Sequence, residues 1–107
     1  SCGDYQDIQS MDELSKNPSC SSEISNEVHL NLGQIQTCFD VAHSFDPTVS
    51  GRVVVETYIE SGVVFSTNVH MNTTGDSALG LCIERGIKNW YFPEYCSETA
   101  EFPFAFN

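Results

Sequence analysis

The fold is decided by residues 38–82, which read CFDVAHSFDPTVSGRVVVETYIESGVVFSTNVHMNTTGDSALGLC. The stretch begins and ends with a cysteine, and valine-rich alternating residues fill its middle. Because successive side chains of a strand point to opposite faces, the alternation over residues 52–71 predicts a β-hairpin. Ser61-Gly62 supplies its tight turn, since glycine readily takes a positive φ.

Amphipathic helices are predicted on both sides of this hairpin. Apolar residues recur every three or four positions from Glu23 until Asp46-Pro47, where the proline ends the helix. A second helix begins at an Asp76 or Ser77 cap and is stopped by Pro93. The first apolar stripe consists of Ile24, Val28, Leu32, Ile35, Phe39 and Ala42, and the second of Leu79, Cys82, Ile83, Gly86, Ile87 and Trp90.

Cys38 and Cys82 belong to these two stripes. Helices that pack on one face of a sheet would bring both cysteines between them, which predicts a Cys38–Cys82 disulfide. A bridge closing so long a loop contributes on the order of 4 kcal/mol in the chain-entropy model. The alternative is a pair of buried free cysteines.

The chain end, Phe102-Pro103-Phe104-Ala105-Phe106, is predicted to form a third strand. Proline has no N–H to donate, so this strand is expected at an edge of the sheet. The predicted fold class is therefore α+β, with the order helix-strand-strand-helix-strand and two helices on a three-stranded antiparallel sheet. Phe102, Phe104 and Phe106 are expected either to cover the sheet or to form an interaction edge that inserts into a neighbour.

Residues 1–20 are polar and acidic and form a predicted N-terminal arm, ahead of a domain over residues 21–107. Pro18 is expected to break the chain before Ser21 or Ser22 caps the first helix. Ile8, Met11 and Leu14 are spaced by three, which fits a short helical turn. The other interpretation is an extended arm that becomes ordered against a partner.

The predicted bridge leaves three further cysteines to assign, namely Cys2, Cys20 and Cys96. Two of them can pair, which leaves one that is free or bonded to another chain, and Cys2 is the best placed for that bond. Five cysteines in a short chain without a C-x-x-C motif favour an oxidising compartment. We therefore expect a secreted, extracellular or periplasmic protein whose signal peptide has been removed.

The net charge of −11, with only four basic residues, excludes nucleic acid as a partner and disfavours anionic membranes. The sequence contains no run of roughly 18 apolar residues, so no membrane-spanning segment is predicted. The histidines, His29, His43 and His70, match no catalytic or metal-binding motif. We therefore expect no enzyme activity, no cofactor and no metal site. Asn72-Thr73-Thr74 fits the N-glycosylation pattern, but it also reads as an ordinary loop.

Several motifs occur in an order that resembles the C-terminal domain of TonB-type proteins, closest to the AgmX/PglI C-terminal family. They are Ile35 before the Cys38-Phe39 pair, Gly51-Arg52-Val53-Val54-Val55, Gly62-Val63-Val64, Gly75-Asp76 before Cys82, Trp90-Tyr91-Phe92-Pro93, and Phe102-Pro103-Phe104-Ala105-Phe106. The resemblance implies a bacterial, non-catalytic domain that binds protein. The membrane helix and long linker of TonB-type proteins are missing from this sequence, and carboxylates such as Glu84 replace the family's basic surface.

Two functions follow from these observations. The first is a structural subunit that assembles with copies of itself into an extracellular filament or surface polymer. In that case the arm or the closing strand adds to a neighbour's sheet, and Cys2 locks the contact. The alternative is an envelope recognition module that binds a strand of another protein by β-augmentation.

Overall fold

The computed structural model describes residues 18–107. Three helices and three strands follow in the order α1 (Pro18–Leu30), α2 (Leu32–Phe45), β1 (Gly51–Glu60), β2 (Val63–Asn72), α3 (Ser77–Ile87) and β3 (Glu98–Phe106). The strands form one antiparallel sheet in the order β2-β1-β3. The predicted α+β fold is confirmed, and β3 lies at an edge of the sheet as Pro103 indicates. The arm residues 1–17, which include Cys2, lie outside the described residues.

The first predicted helix is divided in two at Asn31. The Asn31 side chain donates to the Glu27 carbonyl at 2.8 Å and to the Glu27 carboxylate at 2.9 Å. Its backbone N–H is shared between the carbonyls of Glu27 and Val28, both at 3.2 Å. This competition of a side chain with the helical hydrogen bonds accounts for the turn between α1 and α2. The apolar stripe continues across it, with only Leu32 half-buried.

α1 begins at Pro18, three residues ahead of the domain boundary expected at residue 21. Proline suits the first turn of a helix, because the N–H that it lacks would have no partner there. Pro18 therefore opens the helix that it was expected to precede. Cys20 is completely buried in α1.

The predicted hairpin is formed by β1 and β2. Ser61 and Gly62 connect them with φ of 51° and 81°, the positive values of the tight turn that matches strand twist. The loop before β3 holds this turn: the Phe92 N–H donates to the Gly62 carbonyl at 2.8 Å, and the Gly62 N–H donates to the Cys96 carbonyl at 2.9 Å. Gly62 is thus buried against the loop before β3, whereas Ser61 remains exposed.

The core lies between the sheet and the helices. Every second residue of β1 faces the helices and is buried, namely Val53, Val55, Thr57 and Ile59. β3 contributes its phenylalanines to the same face, and Phe106 stacks on Phe39 of α2 with ring centroids 4.9 Å apart. Trp90 packs on Phe102 and donates its indole N–H to Gln34 at 3.0 Å.

Two disulfides tie the helices to the rest of the domain. Cys38–Cys82, the predicted bridge, joins α2 to α3 with an S–S distance of 2.02 Å. Cys20–Cys96 joins α1 to the loop before β3, with Cα atoms 5.7 Å apart. The two bridges account for the four cysteines within residues 18–107, and of the three cysteines left open by the sequence, Cys20 and Cys96 are the pair.

Candidate strand-binding edge

The two edge strands of the sheet differ in how well they are protected against pairing with another chain. β3 carries Glu98, Glu101 and Pro103. Charged residues and proline on an edge strand discourage the addition of a further strand. β3 is therefore a poor acceptor, although its position at the edge agrees with the sequence.

β2 lacks this protection. Its ten residues, VVFSTNVHMN, contain no Asp, Glu, Lys, Arg or Pro, in a chain whose net charge is −11. Phe65 is 71% exposed on this strand. Register shifts at Phe65 and His70 leave the regular stretch 66–69 between two bulges. Tyr91 bridges Val63, so the open edge begins after that residue.

The backbone of β2 points hydrogen-bonding groups outward at Thr67 and Val69. The Arg52 carbonyl accepts from the Thr73 N–H at 2.9 Å on the β2 side, and backbone direction alternates along a strand. Even-numbered residues of β1 therefore bond to β2, and odd-numbered ones bond to β3. Thr67 and Val69 lie opposite Thr57 and Val55, so their own N–H and C=O groups face away from the sheet.

A groove of about 410 Å³ runs beside this edge, between β2 and α3. Gly80 lets the helix approach, since a Cβ there would lie 3.2 Å from Nδ2 of Asn72 and 3.4 Å from Cγ2 of Val69. Leu81, 52% exposed, gives the groove an apolar rim. The complete lining consists of Asn68, Val69, Asn72, Ser77, Gly80, Leu81 and Glu84. An added strand would find backbone partners and an apolar slot side by side.

Asn72, the possible glycosylation residue, is held in the β2–α3 loop. Its Nδ2 donates to the Asp76 carbonyl at 3.0 Å, and its Oδ1 accepts from the backbone N–H and the hydroxyl of Thr74 at 3.0 and 2.6 Å. Asp76 in turn caps α3 by accepting from the Leu79 N–H at 3.1 Å. In the folded protein Asn72 therefore shapes the loop at the end of the groove.

The phenylalanines named as an interaction edge are core residues. Phe102 and Phe104 are completely buried and Phe106 nearly so. An interaction along β3 would thus use backbone groups, and the phenyl rings would take no part. The sequence analysis missed the β2 edge, although the absence of charge from residues 63–72 was a signal for it.

A second apolar surface lies over the Cys38–Cys82 bridge, where α2 and α3 meet. A hollow of about 140 Å³ is lined there by Cys38, Ala42, Leu79 and Cys82, among others. Val41 and Phe45 also line it, and Phe45 is 85% exposed. This surface is separate from the β2 edge but lies on the other side of the same helix, α3.

The titratable side chains of residues 18–107 form no metal site and show only local pKa shifts. Within residues 18–107, no group of three or more His, Cys, Asp or Glu side chains is arranged to hold a metal ion. The Thr48 hydroxyl and amide lower the pKa of Asp46, and hydrogen bonding to Glu60 raises the pKa of Tyr58. Burial and Glu23 raise the pKa of Tyr95. Each shift has a local cause on the surface.

Comparison of the chain with protein-family models, curated proteins and solved structures gives no match. The resemblance to TonB-type domains stays a prediction. Among the described helices, none has the length and hydrophobicity that a bilayer span requires. The two disulfides are those of a protein from an oxidising compartment, extracellular or periplasmic.

Proposed function

We propose that this protein is a non-enzymatic, secreted structural subunit that assembles with copies of itself by adding a strand to the β2 edge. The observation that carries the proposal is the contrast between the two edges of the sheet. β3 bears two glutamates and a proline, whereas β2 carries no acidic or basic residue other than His70 and directs outward backbone groups that have no partner within residues 18–107. Such an edge is a template for pairing with another chain.

The charge of the chain supports the same proposal. A net charge of −11 makes copies repel one another, so a contact between them must lie where carboxylates are sparse. β2 is the strand that meets this condition. Exposed apolar side chains next to it, Phe65 and Leu81, would be covered in the assembly.

The disulfides suit a subunit of an extracellular filament or surface polymer. Cys38–Cys82 and Cys20–Cys96 hold all three helices around the sheet, so the domain keeps its shape outside the cell. Cys2 lies outside the described residues. In the proposed assembly the Cys2 thiols of two copies form an intermolecular disulfide that locks the contact, and a disulfide-type oxidant of the oxidising compartment takes up the two electrons and two protons.

The test is a pair of proline substitutions in the full chain under oxidising conditions. Thr67→Pro removes an outward N–H from β2. Thr99→Pro removes an outward N–H from β3, because Thr99 lies opposite Tyr58, an even-numbered residue of β1 that bonds to β2 and not to β3. Sedimentation velocity and negative-stain microscopy should show assembly for the parent and for T99P, and loss of assembly for T67P. A parent that stays monomeric at every concentration, or a T67P variant that assembles like the parent, would refute the proposal.

A second candidate, an envelope recognition module, is favoured by the groove itself. A slot lined by Val69, Gly80 and Leu81 offers side-chain selection in addition to backbone pairing. In that case the parent stays monomeric, and a synthetic peptide of alternating Val and Thr should shift the methyl NMR signals of Val69 and Leu81. The T67P variant should bind the same peptide at least tenfold more weakly.

A further inference from the structure

Resting on the proposed self-assembly, we infer that the added strand is the segment Ile8–Met11 from the N-terminal region of a second copy. The segment lies antiparallel to residues 66–69 of β2 and places Ile8 in the groove beside Gly80. Three features support this assignment: the position of α3 over β2, the length and charge of the regular stretch of β2, and the partners that the register provides.

The position of α3 excludes an edge strand of a second folded domain whose helices lie on the same side of the sheet. The close approach at Gly80 puts α3 directly above β2. Paired strands lie about 4.8 Å apart, whereas packed helices need about 8–10 Å. A neighbour's β2 would bring its own α3 into the space of the first.

β3 of a second domain meets the same obstacle. Phe39 of α2 stacks on Phe106 of β3, so that strand also has a helix above it. A strand that adds to β2 must therefore carry no helix on that face. Within this chain, residues 1–17 precede α1 and bring none of the described helices onto that face.

Residues 1–17 contain two four-residue segments free of acid, Ile8–Met11 and Leu14–Asn17; the second directly precedes α1 at Pro18, which leaves the first for pairing with a second copy. Ile8-Gln9-Ser10-Met11 is free of acid and is bounded by Asp7 and Asp12. The segment has four residues, the same number as the regular stretch of β2 between the bulges at Phe65 and His70.

The antiparallel register gives each side chain a suitable neighbour. Ile8 lies opposite Val69 and enters the slot beside Leu81, on the face that α3 covers. Ser10 lies opposite Thr67, whose buried Oγ1 has no hydrogen-bond partner within residues 18–107. Both Thr67 and Val69 direct their backbone groups outward, so the two pairs can exchange N–H···O=C bonds.

Residues 12–17 connect the segment to its own domain. Six residues separate Met11 from Pro18, and an extended chain spans about 3.3–3.6 Å per residue. Each copy donates one segment and accepts another on β2, which is a head-to-tail contact. Contacts of that kind continue as open filaments unless the rotation closes a ring.

The experiment compares Ile8→Asp with Leu14→Asp in the full-length chain, by sedimentation velocity and microscopy. Both variants add one negative charge, but only Ile8→Asp places it in the groove. We expect I8D to raise the concentration needed for assembly about tenfold or more, and L14D to assemble like the parent. A synthetic peptide of residues 1–17 should shorten the parent's assemblies, whereas the same peptide carrying I8D should not.

The outcomes separate this inference from the function on which it rests. If I8D assembles like the parent while T67P fails, the β2 edge is used but another segment fills it, and the inference is overturned. Equal loss for I8D and L14D would also overturn it, because added charge alone would then explain both results. If T67P assembles like the parent, the proposed function itself fails.

Discussion

At the scale of single residues, Gly62 shows how one position fixes the end of the hairpin. Its φ is +81°, and an added Cβ would meet the carbonyl oxygens of Phe92 and Pro93, the latter at 2.8 Å. Gly62→Ala should lower the free energy of unfolding by about 3 kcal/mol or more, from backbone strain plus the lost contact with the loop before β3. Urea denaturation measures this loss. Gly75→Ala is the control, because Gly75 has a φ of +78° with open space around it, and should cost only about 1–2 kcal/mol. Equal losses would mean that the loop does not hold the turn.

At the scale of elements, the two disulfides differ in how well they are shielded from solvent. Cys20 and Cys96 are completely buried, whereas Cys82 is half-buried beside the hollow between α2 and α3. Thiol–disulfide exchange requires access for the attacking thiolate. Mild reductant should therefore open Cys38–Cys82 first, while α1 stays attached to the loop before β3. Alkylation followed by peptide mass spectrometry measures the order, with fully denatured protein as the control in which both bridges open together. Opening of Cys20–Cys96 first would contradict this account.

The same elements show what periodicity can and cannot predict. The alternating residues and the Ser61-Gly62 pair were enough to predict the hairpin. The positions of Cys38 and Cys82 in the apolar stripes of two helices were enough to predict their disulfide. The break at Asn31 was missed, because the apolar stripe continues through a turn that side-chain hydrogen bonds create. The spacing of the cysteines did not identify the Cys20–Cys96 pair, because this pairing depends on how α1 packs against a loop far along the chain. The open edge of β2 also depends on strand order, which a local pattern does not contain.

At the scale of the whole molecule, charge decides how copies of the protein approach one another. Each carries a net charge of −11, whereas the proposed contact at β2 consists of backbone hydrogen bonds and apolar side chains. Salt screens the repulsion, with a Debye length of about 30 Å at 0.01 M and about 8 Å at 0.15 M, and leaves the contact itself largely unchanged. Assembly should therefore need less protein as sodium chloride rises over this range, which light scattering measures. Asp40→Asn removes one negative charge at an exposed position on α2, so this variant should assemble at a lower sodium chloride concentration than the parent. Assembly that weakens as salt rises would instead indicate an interface held by ion pairs, and the β2 edge would then be the wrong surface.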